Sequence, residues 1–313
     1  MRVRAWARKR NSDRWRSSAG ATLCVELPVV AASLGVPCAS GERSRKLFDF
    51  ELPSWPSELG ACRGQPRFDP AGDRAPGRVR APRVLRELGL VERIDGDDLG
   101  DVLSPPYQDF KCPPARPRNE QGVASYSRAL ADYVARGMAD GKFVLVLGGD
   151  CSIVLGTLLG AGRRAQQVGL AYLDAHADFA TPQESLTGSV ASMCLALAIG
   201  RGDSDLARLA GATPLVHARD VVLIGRRDAN ETGYGHEALA RSDILDIPDT
   251  RFWTQDVPDI APAALARLGR DDLNGFWIHV DADLLDPRVC PPSIHQNPAD
   301  RDSMRWLCCS PHL

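Results

Sequence analysis

Residues 144–178 read VLVLGGDCSIVLGTLLGAGRRAQQVGLAYLDAHAD and contain two short apolar runs, 144–147 and 168–173. Each run stops abruptly in polar and acidic residues. Runs this short suit strands buried on both faces, and the stretch between them, 152–160, reads as a helix. Two buried strands joined through a helix commit a chain to a parallel sheet, because the crossover carries the second strand back beside the first. The alternation extends outward. Helices are expected at 82–89 (opened by Pro82, closed by Gly89), 119–138, 190–199, 237–241 and 261–268. Strands are expected at 143–147, 168–173, 221–224 and 276–280, with a minor one at 252–253. The expected fold class is therefore α/β, a mostly parallel sheet covered by helices on both faces.

Ligands in such sheets bind outside the carboxyl ends of the strands. The polar clusters 148–152, 174–178, 226–228 and 281–286 all follow strands, so they are expected on one rim. Asp174, His176 and Asp178 stand two residues apart, a spacing that in extended backbone turns side chains to one face. With Asp281 and Asp283 they assemble four carboxylates and one imidazole. Carboxylates so close raise one another's pKa unless a cation neutralises them. The oxygen-rich donor set suits Mn²⁺ better than a structural zinc, and there are enough carboxylates to bridge two ions. An isolated Asp-x-Asp at a strand end often serves only as a turn or cap; Asp-x-His-x-Asp has few structural uses.

Composition excludes several other classes. The net charge of −2 argues against a nucleic-acid binder, and no apolar run reaches membrane-spanning length. Nine irregularly spaced cysteines without a CxxC pair argue against a disulfide scaffold and for a reducing, cytoplasmic setting. Residues 1–75 read as a poorly ordered segment with a basic start and an apolar stretch at 23–34 suited to a strand or short helix. Residues 76–292 form the α/β domain, and 293–313 an atypical tail without periodicity.

The motifs Gly148-Gly149-Asp150-Cys151-Ser152, Asp174-Ala175-His176-Ala177-Asp178, Thr187-Gly188-Ser189 and His279-Val280-Asp281-Ala282-Asp283-Leu284-Leu285-Asp286-Pro287 occur in the order found in the ureohydrolases. The chain resembles that family (arginase, agmatinase, formimidoylglutamase) over about residues 75–292. The resemblance implies a three-layer α/β/α fold, two Mn²⁺ ions, and hydrolysis of a linear amidine or guanidino C–N bond by metal-bridging hydroxide. By that resemblance Asp174 and Asp281 bridge the ions, and His176 and Asp283 complete one site. Asp178 and position 151 complete the other, and Asp178 orients the nucleophile as the catalytic residue. The implied partner is a small guanidino or amidino substrate, without nucleic acid or membrane, in a homo-oligomer. The substrate-binding residues are not assigned: Arg118-Asn119 and Arg226-Arg227-Asp228 are candidates for holding a substrate carboxylate, with surface polarity and helix capping as the plainer reading.

The chain departs from the family pattern at three places. Cys151 stands where the family carries His. Either the thiolate ligates and shifts metal preference toward Zn²⁺ or Fe²⁺, or Cys151 is a buried non-ligand and that half-site is weak. A redox role for this thiol is a further, weaker alternative. Ala191 stands where arginase-like members carry a proton-relaying His. Beyond Pro292 the family's continuing loop, strand and helices have no counterpart, which gives the tail the look of a truncation and the sheet the look of incompleteness at both ends. A catalytically impaired metal-binding or interaction protein on the same fold is the alternative these departures raise.

Overall fold

The computed structural model describes residues 7–8, 15–16, 21–26, 45–49, 77–103, 115–139, 142–148, 150–185, 188–230, 235–251 and 257–285. Among the described residues ten strands run in chain order: β1 (Ala7–Arg8), β2 (Trp15–Arg16), β3 (Ala21–Glu26), β4 (Arg45–Asp49), β5 (Gly96–Asp101), β6 (Phe143–Gly148), β7 (Gly169–Leu173), β8 (Val221–Ile224), β9 (Leu245–Ile247) and β10 (Phe276–Asp281). The helices are α1 (Gly77–Glu87), α2 (Leu90–Arg93), α3 (Glu120–Ala139), α4 (Ile153–Gly162), α5 (Cys194–Ala198), α6 (His236–Ala240) and α7 (Val257–Leu268).

β1 and β2 form a small antiparallel ladder; the other eight strands make one sheet in the order β5-β4-β6-β3-β10-β7-β8-β9. Every pairing in that sheet is parallel. Two of its strands, β3 and β4, come from the first 75 residues: β3 lies between β6 and β10, and β4 between β5 and β6. The register aligns Glu26 of β3 with both Gly148 and Asp281. The strands that lead into the polar clusters 148–152, 174–178 and 281–286 thus sit at the centre of the sheet.

Strand alternation sorts side chains into two cores. On one face Val144, Val146, Leu170, Tyr172, Leu223 and Trp277 pack under α3, α4 and α5. On the other, Leu145 and Leu147 meet α1 and α2, while Ala171 and Val222 meet α7. The result is three layers, α/β/α. The α3–α4 contact needs the absence of side chains on α4. A Cβ at Gly156 would stand 2.9 Å from the Ser127 carbonyl oxygen, and one at Gly160 would stand 2.8 Å from that of Ala131. The backbones approach because nothing stands between them.

Several boundaries move from their sequence expectations. α1 begins at Gly77, so Pro82 lies inside it rather than at its start; the ring forfeits one backbone bond while Ala81 and Leu85 anchor the helix in the core. The segment 190–199 divides into a 3-10 turn, Ala191–Met193, followed by the short α5. The expected minor strand at 252–253 lies outside the described residues, and β9 had no expectation: its three residues, Leu-Asp-Ile, are too few to establish a period. Residues 27–34 and 293–313 also lie outside the described residues.

Candidate metal centre

β7 stops at Leu173, and the five residues after it are not part of the strand. The carboxylate Oδ1 of Asp174 accepts the backbone N–H of His176 at 2.7 Å, a local turn that competes with strand continuation. Asp178 then adopts left-handed backbone, φ 46°. Its carbonyl accepts N–H groups of Leu195 and Ala196 at 3.1 and 3.2 Å, so the opening of α5 holds it in that conformation. The reading of this motif as an extended strip with alternate residues on one face is therefore corrected. The three side chains meet at the rim through turns, not through strand periodicity.

The same device recurs after β10. Asp281 ends the strand, and its Oδ1 accepts the N–H of Asp283 at 2.7 Å. Asp283 then lies on the short turn Ala282–Leu284 and reaches back across the rim. Its Oδ2 is 2.9 Å from His176 Nδ1, and its Oδ1 accepts the Ala175 N–H at 3.2 Å. Ligating atoms of Asp174, His176 and Asp283 all lie within 4.8 Å of one another.

Cys151 arrives from the β6–α4 turn. Asp150 shapes that turn by accepting the Ser152 N–H at 2.9 Å and its hydroxyl. The Cys151 thiol faces Asp281 Oδ2 at 3.2 Å and Asp174 Oδ2 at 3.7 Å. A second group, Cys151, Asp174 and His279, also has its ligating atoms within 4.8 Å. Asp174 belongs to both groups.

The electrostatics show the cost of this crowding. Burial, then the charges of Asp178, Asp281 and Asp283, push Asp174 well above the usual carboxylate range. Burial raises Asp178 to about 7. Burial opposes charge on His176, but Asp283 and Asp174 outweigh it and hold its pKa up. Burial would raise Asp283 too, yet His176 holds it at about 2. Buried carboxylates converging on one imidazole fit a divalent cation: the donors are hard oxygens plus nitrogen, and a positive charge removes the repulsion.

Two neighbours, Tyr172 and His279, had no role assigned from sequence, and a third, Asp228, was only a candidate for holding a substrate carboxylate. Tyr172 donates its hydroxyl to Asp178 Oδ2 at 2.6 Å. His279 stacks on the Tyr172 ring, centroids 4.5 Å apart. Asp228 accepts the Ala177 N–H at 2.8 Å and pairs with Arg226, which also grips Asp246. The signal for His279 was its place two residues before Asp281, on the same strand face. Arg226 and Asp228 brace the rim and Arg227 reaches the Asp283 carbonyl, so these residues act as neither surface polarity nor helix caps. The Arg118 backbone N–H bonds the Gly188 carbonyl at 2.8 Å.

The sequence model of the arginase family matches residues 64–294. The chain belongs to the arginase family. Among curated family members, it is 31% identical to the arginase of Bacillus caldovelox over 218 residues, covering 67% of this chain and 71% of that one. It is likewise 31% identical to the arginase of Brevibacillus brevis over 221 residues, with the same coverage. The crystal structure of the B. caldovelox arginase superposes with a TM-score of 0.65 over 78% of this chain and 77% of that chain, at 27% identity. The family's three-layer architecture is thus the one found here. Among the described residues no helix is long and apolar enough to cross a membrane.

Proposed function

We propose that this arginase-family chain is a metal-dependent hydrolase that cleaves a C–N bond of a linear amidine or guanidino compound. The observation that carries the reading is Asp174, a fully buried carboxylate shared by two groups of metal-ligating atoms. Asp174, His176, Asp178, Asp281 and Asp283 would hold the metal, with Mn²⁺ the ion the family resemblance implies. Bound metal would neutralise these carboxylates and activate water for attack on the amidine carbon.

The chain's own residues supply orientation and proton handling. The Tyr172 hydroxyl and the left-handed backbone fix the Asp178 carboxylate in one direction. Asp178 orients the attacking water and takes its proton. The departing nitrogen needs a proton before it leaves, and with Ala191 in the relay position we assign that return to Asp178 as well. The test is release of urea, ammonia or amine from guanidino acids, agmatine and formimidoylglutamate, with Mn²⁺, Zn²⁺ and Fe²⁺ supplied in turn. Absence of metal-dependent turnover on all of them would sink the hydrolase reading.

Cys151 and Ala191 favour one second reading, a metal-binding member without turnover. Its signature is stoichiometric metal with no product. If Cys151→His combined with Ala191→His then produced turnover, those two positions would be the reason.

A further inference from the structure

We propose that Cys151, Asp174 and His279 form a sulfur- and nitrogen-bearing half-site that selects Zn²⁺ over Mn²⁺, so that the centre holds two unlike ions. This rests on reading the rim as a metal centre, though not on the substrate.

The two donor groups that meet at Asp174 differ in chemistry. Asp174, His176 and Asp283 offer mainly carboxylate oxygen, which suits Mn²⁺. Cys151, Asp174 and His279 offer one sulfur, one oxygen and one nitrogen, and all three residues are buried. Thiolate and imidazole are the donors zinc takes in preference to the harder Mn²⁺. Asp281, whose Oδ2 lies 3.2 Å from the Cys151 Sγ, adds a carboxylate beside this group.

His279 is placed for this from below the rim. It precedes Asp281 by two residues on β10 and lies in register with Tyr172 on β7. Its ring stacks on Tyr172 at 15° between planes, which fixes its orientation. The imidazole that position 151 lacks relative to the family pattern is thus supplied from β10, one strand beyond β3 in the same sheet. The Cys151 Sγ to Asp174 Oδ2 distance of 3.7 Å is already close to the spacing of two ligands on one tetrahedral ion, about 3.5 Å for bonds of about 2.0–2.3 Å. The plainer account of His279 is a packed core residue. An imidazole buried solely for packing carries a desolvation cost that an apolar ring would avoid.

The test uses the full chain, reconstituted with Zn²⁺ and Mn²⁺ offered together. About one zinc per chain is expected to survive dialysis, and zinc-edge absorption spectroscopy should show sulfur at about 2.3 Å. Cobalt in place of zinc should give a thiolate charge-transfer band, lost in Cys151→Ser. His279→Phe keeps a ring to stack on Tyr172 and should weaken zinc at least about tenfold. Should either variant fold poorly, the absorption spectrum of the wild-type protein decides alone. Metal bound without sulfur coordination would overturn the half-site and leave the metal-centre reading standing. No metal bound by the wild-type chain would overturn both.

Discussion

The Cys151 thiol lies 3.2 Å from Oδ2 of Asp281, although 130 residues separate them in sequence. The contact exists because β6 and β10 flank the same strand, β3, and both end at the same rim. It places the thiol where the carboxylates meet the apolar core beneath α4, to which Cys151 also belongs. Cys151 therefore bears on the chemistry of the rim whatever ion is bound.

Asp174→Asn should stabilise the metal-free protein while removing stabilisation by metal. Asn keeps the shape and an acceptor for the His176 N–H but ends the repulsion among four acids. A gain of roughly 1 kcal/mol in metal-free unfolding by urea is expected, within the range of single substitutions. A loss of similar size would mean that Asp174 serves the fold itself.

The metal-free protein should lose stability as pH rises from about 4 to 7. Asp174 and Asp178 hold their protons more tightly folded than unfolded, chiefly through burial. Their contribution is full below the unfolded pKa of about 4 and disappears as pH climbs to the folded value, about 7 for Asp178. His176, also raised, acts in the same direction, losing its contribution as pH rises beyond its folded value. Asp283, held at about 2, acts oppositely in the lower window, between about 4 and 2. Metal prefers the ionised acids, so the rise in Tm on adding metal should grow from pH 5 to 7. Thermal unfolding with and without chelator checks this, and a constant increment contradicts it.

Tyr172→Phe should move the acid limb of the pH–rate profile upward. The Tyr172 hydroxyl stabilises the ionised Asp178 carboxylate, so its loss raises that pKa. A shift of about 1 unit and a stability cost of about 1–2 kcal/mol are expected for one buried hydrogen bond to a charged group. An unmoved limb would remove Asp178 from the proton-handling role.

Gly156→Val should destabilise by about 1–3 kcal/mol without changing metal stoichiometry. The added Cβ would stand 2.8 Å from a Leu130 methyl and 2.9 Å from the Ser127 carbonyl, so α3 must shift away from α4. Chemical denaturation measures the cost; an unchanged midpoint would mean the two helices are not in firm contact.

The strands that position the rim were legible because each is a short apolar run ending in polar residues. Val221–Ile224 coincides with its expectation, and 143–147 and 168–173 shift by a residue. That the acids and the imidazole gather at one rim was legible, because each cluster follows a strand. The manner of their convergence was not. Asp178 turns into left-handed backbone through bonds from Leu195 and Ala196, residues far along the chain, and no local pattern announces it. His279 was hidden for a different reason: within FWIHVD it looks like one more residue of a buried strand. The pairing of β10 with β7 brings it over Tyr172, and the shared neighbour β3 brings β10 near the β6 end that leads to Cys151.

Metal content of the wild-type chain beside Asp174→Asn and Asp283→Asn tests the account most directly. Asp174 is shared by both donor groups, while Asp283 belongs to one. After reconstitution and dialysis, the account predicts bound metal in the wild type and almost none in Asp174→Asn. Asp283→Asn should keep the ion held by the Cys151 group. Full metal content in Asp174→Asn, or a wild-type chain that takes up none, would contradict it.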